Sequence, residues 1–385
     1  MLDAMVLLTG RERIRRTFQR APVDRFPIDL GAHFSTGISA FSYARLRKHL
    51  GLEERPVRII DPVQFLAQVD EDVLERFRCD VRILRAPWPE TRSWVPRGDQ
   101  EFHIPATMHP ESQADGSWIV ERGGQRIRMP AGGFFFDGGW PRFDDRPWEL
   151  QAEALRIEAD RLRATGSAVF LMECVWAFFS DQPDWLMRAA DDPSAMAEEN
   201  ARVCDRTLEH VGRLIDLLGD RVDIIDMNGD LGAQKAPMIG PRLYERICLP
   251  SVRRVVDFVH RNSDWKVFMH SCGAICPLLP ALAASGIDAI NPVQISAQGM
   301  DPALLKRDFG DRLVFWGGGC DTQRVLGTAT PDAVRANVRE LAGILAAGGG
   351  FVFTPVHNIM GDVPAENIVA MYDEAYACGD RSTLC

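Results

Sequence analysis

His270 and Cys272 stand two residues apart at the end of an apolar run, Lys266-Val-Phe-Met-His-Ser-Cys-Gly273. On an extended chain that spacing puts an imidazole and a thiol on one side. Together they suit Zn²⁺. Two ligands do not complete a metal site, so the others must come from distant segments. The apolar run at 351–354 leads to His357, the run at 313–316 to Cys320, and the run at 168–172 to Glu173 and Cys174. Other polar groups follow further runs: Asp226, Asn228 and Asp230 after 222–226, Gln294 after 289–291, and Gln323 beyond Cys320. Asp230 reads as a general acid or base, or as the cap of a glycine-rich turn. The rest bind a ligand or hold loops. His33, past the run at 26–30, reads equally as a loop residue or a contact. His49, His210 and His260 fall inside helical patterns and carry no such signal.

The elements that must position these groups follow from the apolar runs themselves. Short runs recur at 26–30, 81–84, 168–172, 222–226, 266–270, 289–291, 313–316 and 351–354, with amphipathic helical patterns between nearly all of them. Buried parallel strands read as continuous apolar runs and not as alternation. Eight such units predict an α/β fold, a (β/α)8 TIM barrel as a single domain over 1–385, with a doubly wound open sheet as the alternative. In a barrel the chemistry gathers at the C-terminal ends of the strands, which is where His270, Cys272, His357, Cys320 and Glu173 fall. The segment 88–146 breaks the rhythm with Gly, Pro, Trp and Phe, and predicts a β-rich insertion after the second strand, lying over the barrel mouth as a lid. Tryptophans 88, 94, 118, 140 and 148 in or near it serve either a pocket lid or the insertion's own core.

Composition narrows the function. The chain has 385 residues, 46% hydrophobic and 25% charged, with 44 basic and 54 acidic residues for a net charge of −10. This excludes disorder as the main state and argues against nucleic-acid or anionic-membrane partners. The nine cysteines are odd in number and scattered, so reduced thiols and a cytoplasmic location are expected. The first residues lack the basic and apolar regions of a signal peptide. No phosphate-binding loop, nucleophile elbow or two-histidine metal signature is present.

Several stretches resemble the uroporphyrinogen decarboxylase superfamily, and more closely its zinc- and corrinoid-linked methyltransferases. They are His270-Ser-Cys-Gly, Gly286-Ile-Asp-Ala-Ile-Asn-Pro-Val-Gln, Phe309-Gly-Asp-Arg-Leu-Val-Phe-Trp-Gly-Gly, Asp321-Thr-Gln, Gly349-Gly-Phe-Val-Phe-Thr-Pro-Val-His-Asn and Asp362-Val-Pro-Ala-Glu-Asn, with Arg20-Ala-Pro-Val-Asp-Arg-Phe-Pro near the start. The resemblance implies Zn²⁺ on His270, Cys272 and a third ligand at His357, where thiol methyltransferases carry Cys. Cys320 is the alternative third ligand, and Glu173 an exchangeable fourth with a catalytic role beside Asp230. Asp226, Asn228, Gln294, Gln323 and His33 are expected to bind substrate. The implied reaction moves a methyl group between an oxygen or sulfur of a small molecule and a corrinoid (methylcobalamin) or folate, in either direction, including demethylation. The chain lacks the Asp-x-His-x-x-Gly motif of cobalamin carriers, so the corrinoid is expected on a partner protein. A homodimer is also implied. One departure matters: Leu30–Gly37 contains no arginine where the decarboxylases hold their acidic porphyrinogen. The rival readings are a metal-free decarboxylase or lyase in which Asp230 protonates or orients the substrate, and a corrinoid- or tetrapyrrole-binding protein.

Overall fold

The computed structural model describes residues 7–379. Seven parallel strands pair in chain order into one curled sheet. They are β1 (Val81–Leu84), β2 (Ala168–Trp176), β3 (Ile224–Asn228), β4 (Lys266–His270), β5 (Ala289–Asn291), β6 (Val314–Trp316) and β7 (Phe351–Val352). Helices Trp148–Arg163, Pro193–Leu218, Leu249–Asn262, Pro302–Phe309 and Pro331–Leu345 are among those that cover the outer face. The predicted barrel is present, and no helix among the described residues is long and apolar enough to cross a membrane.

The stave predicted at 26–30 does not become a strand. It makes a single parallel bridge, Ile28 to Phe353. Pro27 has no amide to donate, so the ladder cannot extend backward. The segment still closes the hoop. Phe353 N–H donates to Pro27 O and Asp29 N–H to Phe353 O, each at 2.8 Å, while Asp80 N–H donates to Ile28 O, also at 2.8 Å. The Ile28 amide is taken by the Asp80 carboxylate at 2.8 Å, which also pairs with Arg25 (2.6 Å) and Arg13.

Side chains alternate across each strand, and this alternation builds the interior. Phe170, Phe268 and Trp316 point inward and pack edge to face, with centroids 4.9, 5.4 and 5.9 Å apart. Ile14 and Phe18, from the helix Gly10–Phe18, join this cluster from the N-terminal end of the strands. Two positions further along each strand come the polar groups: Ile224 leads to Asp226 and Asn228, Phe268 to His270, and Ala289 to Asn291. The polar site is the next layer of the barrel interior, laid on an aromatic floor.

The insertion is larger than 88–146. Val57–Asp61 and Leu66–Ala67, which precede β1, share a four-stranded sheet with Thr91–Trp94 and Phe102–Pro105. Glu111–Ser112, Trp118–Arg122 and Gln125–Met129 form a second, antiparallel sheet. The tryptophans divide between the two roles open to them. Trp94 packs against Trp118 at 5.3 Å and against Phe65, making a core for the insertion. Trp88, Trp140 and Trp148 line a cavity beside the barrel mouth.

Phe268 is fully buried and carries this floor. Phe268→Ala is expected to destabilise the chain by about 3–5 kcal/mol, seen as a lower urea midpoint with an unchanged slope.

Candidate metal centre

Three segments bring the ligands together. His270 ends β4. Cys272 lies in the turn that follows, and His357 lies five residues beyond β7. Their ligand atoms all lie within 4.8 Å of one another. His270 Nε2 stands 3.6 Å from Cys272 Sγ. Donors at about 2.1 Å (nitrogen) and 2.3 Å (sulfur) around a tetrahedral ion stand about 3.6 Å apart, so the pair is spaced for Zn²⁺.

The turn at 271–273 is tied down on both sides. Ser271 N–H donates to Asn291 O at 2.7 Å, Cys272 N–H to Asp230 Oδ1 at 3.0 Å, and Gly273 N–H to Gln294 Oε1 at 2.7 Å. Gly273 has φ +90°, and a Cβ there would stand 2.2 Å from Gly232 O, so only glycine fits. The His357 loop is held by Ser39 N–H to Ile359 O (2.8 Å) and Ile359 N–H to Gly37 O (2.9 Å).

Each imidazole is aimed by a carboxamide. Asn291 Nδ2 donates to Trp316 O at 2.8 Å, which turns its Oδ1 toward His270 Nδ1, also at 2.8 Å. In the neutral ring, the form that binds a metal, Nδ1 therefore carries the proton and Nε2 the lone pair. Asn358 repeats the device: its Nδ2 donates to Gln64 Oε1 at 3.0 Å, and its Oδ1 accepts from His357 Nδ1 at 2.7 Å. Partners of this kind orient metal-binding histidines and raise their basicity.

A second network supports the first from below. His33 is buried and its ring stacks on His270 at 5.0 Å. It contacts Ser35 Oγ through Nδ1 (2.7 Å) and Asn228 Oδ1 through Nε2 (3.0 Å). Ser35 Oγ donates to Asn291 Oδ1 at 2.6 Å, and Asn228 Nδ2 to Asp226 Oδ2 at 2.5 Å. Asp226 Oδ1 accepts the Glu173 amide at 2.7 Å. Burial, and then the neighbouring His270, hold His33 well below the ordinary imidazole range. His33 and Asp226 thus lie under the site as supports, not on its surface as the expected substrate contacts.

Charge at the centre is strongly coupled. Burial would raise the Cys272 thiol, but His270 and then His357 bring it down to about 7. Burial opposes a charge on His270, yet the Cys272 thiolate and Asp230 outweigh it and push the imidazole well up. Asp230 Oδ1 stands 3.5 Å from His270 Nε2. Burial raises its carboxyl, and His270 with the Cys272 amide outweighs that and holds it well below the carboxylate range.

The remaining expected residues fall elsewhere. Cys320 is fully buried outside the cluster, and burial pushes its thiol up to about 12, so it is not the alternative ligand. The glycine-rich bend at 317–319 turns the chain before it; Gly317 has φ +104°. Gln323 is exposed on a turn whose amides donate to Asp321 Oδ1. Glu173 leaves the cluster because Phe170 and Met172 hold the inward face of β2, so the next side chain points outward. Its Oε1 meets His210 Nε2 at 2.5 Å, a partner that a helix-embedded histidine did not signal. The Cys174 side chain lies outside the described residues. Gln294 acts on the turn, through Gly273.

Beside His357 a cavity of about 360 Å³ opens, lined by Gln64, Asn358 and residues 134–140 of the insertion. Residues 180–377, more than half of the chain, match the uroporphyrinogen decarboxylase (URO-D) family. The chain belongs to that family. It is 29% identical over 177 residues to a uroporphyrinogen decarboxylase of Psychromonas ingrahamii, a match that covers 43% of this chain. The match spans about half, 47%, of that curated relative. Among solved structures it is similar to a methyltransferase from Methanosarcina mazei, at 14% identity and a TM-score of 0.56, over 96% of this chain and 99% of the other. At that identity the likeness is one of fold.

In metal-free protein, the Cys272 thiolate is expected to appear with a midpoint near pH 7. His270→Ala removes the cation beside it, so the midpoint must move up. Ultraviolet absorbance of the thiolate measures both, and a midpoint unmoved by the substitution contradicts the coupling.

Proposed function

We propose that this URO-D family member is a zinc-dependent methyltransferase that moves a methyl group between an oxygen or sulfur of a small molecule and a corrinoid. The observation that carries the reading is the convergence of His270, Cys272 and His357 within 4.8 Å, with the Nδ1 of each imidazole committed to an asparagine. Zinc held there by His270, Cys272 and His357 would supply a Lewis acid, lowering the pKa of a hydroxyl, thiol or water placed against it.

The protein's own residues set what that position does. One thiolate and two neutral imidazoles leave the centre one unit more positive than a site with two thiolates, which favours an oxygen ligand as well as sulfur. Asp230, held ionised beside His270, can accept a hydrogen bond or a proton from the reacting heteroatom. It cannot donate one at neutral pH, which weighs against the metal-free lyase in which Asp230 protonates the substrate. Residues 134–140 add apolar wall to the cavity beside His357. No Asp-x-His-x-x-Gly motif occurs in the chain, so we assign the corrinoid to a partner protein. Family membership and the methyltransferase-like fold support the reading.

Elemental analysis of purified protein is expected to give one zinc per chain. His270→Ala/Cys272→Ala should lose both zinc and methyl transfer, followed by methylcobalamin absorbance, while Cys320→Ala keeps both. Asn291→Leu should weaken zinc binding by about 10–100-fold. A double variant that retains zinc and transfer would sink the proposal.

A further inference from the structure

We infer that a second cavity at the barrel mouth is a binding site for a planar aromatic monoanion, with Arg85 as its charge partner. As a substrate assignment this rests on the methyltransferase reading; as a binding site it stands without it.

The cavity, about 700 Å³, lies between the rim of the barrel and residues 140–148. Trp88, Trp140, Trp148 and Phe34 contribute flat apolar walls. Into this aromatic box projects the Arg85 guanidinium, 4.9 Å from the Phe34 ring centroid and 5.9 Å from that of Trp88. Among the described residues Arg85 is half-buried and has ring contacts but no hydrogen bond or ion pair. A guanidinium offers five N–H donors in a fixed fork that matches a carboxylate. Here that fork is unspent and already stacked on rings, an arrangement that accepts an aromatic acid edge-on.

The charges around the fork are compatible with this. Arg146 pairs with Asp144 at 2.6 Å, and Glu173 Oε1 is held by His210 Nε2 at 2.5 Å. That leaves Arg85 and Arg142 facing Asp61, whose oxygens already accept from Val63 N–H (2.9 Å) and Gln64 Nε2 (3.1 Å). With histidine uncharged, Arg85, Arg142 and Arg146 balance Asp61, Asp144 and Glu173 in the lining, so the box is not acidic although the chain carries a net charge of −10. One unspent guanidinium fork matches one carboxylate, not the several of a polycarboxylate. The inner wall, Phe34, is the chain neighbour of His33, whose ring stacks on His270.

The test is titration of the full chain with benzoate, cyclohexanecarboxylate and benzamidine, followed by calorimetry and tryptophan fluorescence, with and without a chelator. Benzoate is expected to bind and quench, cyclohexanecarboxylate to bind more weakly, and benzamidine not to bind. Arg85→Gln should weaken benzoate by at least about tenfold, and Arg85→Lys by less. Because Arg85 makes no hydrogen bond or ion pair, and only ring contacts and the charge of Asp61 are lost, Arg85→Gln should fold and melt close to the parent chain. If it does not fold, the ranking of the three ligands on the parent chain decides. Equal benzoate binding by Arg85→Gln, or benzamidine binding as tightly as benzoate, overturns the site. Equal binding of cyclohexanecarboxylate overturns its aromatic character. Benzoate binding that survives in His270→Ala/Cys272→Ala, or under chelation, separates this site's fate from that of the zinc reading.

Discussion

The Asn291 carboxamide ties the metal cluster to the barrel beneath it. Its Nδ2 donates to Trp316 O, and its Oδ1 accepts hydrogen bonds from both His270 Nδ1 and Ser35 Oγ. Through it the aromatic floor, the fifth and sixth strands, the metal cluster and the His33 loop share one orientation. A buried carboxamide with three partners has few alternative poses, because each lost hydrogen bond in that setting costs about 1–3 kcal/mol. The tautomer of His270 follows from that rigidity. Without it, the imidazole would be free to present either nitrogen, and the ligand set would lose its aim.

Much of this was legible in the sequence, and for identifiable reasons. The strand runs were readable because parallel strands are apolar on both faces. His270 and Cys272 were readable because a two-residue spacing at a strand end has one geometric meaning. His357 came from the rim rule together with the family resemblance. What failed had two different causes. Glu173 follows Met172, which faces inward with Phe170, so alternation turns it outward to His210; that parity stands in the sequence, but the rim rule alone does not use it. The glycine bend at 317–319 buries Cys320, and periodicity does not encode such a bend. The single-bridge stave at 28 was misjudged as a strand, because apolar content says nothing about whether Pro27 leaves a ladder to build. The supporting roles of His33 and Asp226 were also hidden, since burial of a polar network depends on contacts remote in the chain.

The charge reading gains a local side. Net charge of −10 and the missing arginine after the first stave argue against an acidic porphyrinogen. Yet the cavity beside the mouth is not acidic, and Arg85 and Arg142 both face it. The two observations agree once charge is counted by compartment. A polyanion needs several cations spaced along its edge, and this mouth offers one unspent fork within a box of rings.

The seam of the barrel has a mechanical meaning. Residues 27–29 have only a short amide ladder to their neighbours, and the Asp80 carboxylate with Arg25 and Arg13 clasps them in addition. The same stretch of chain runs on to His33 and Ser35, which brace the imidazole and the carboxamide of the metal cluster. The hoop's latch and the cluster's underside are thus one continuous strap. Loosening the latch slackens the brace, so the far end of the barrel has mechanical leverage over the geometry of its mouth.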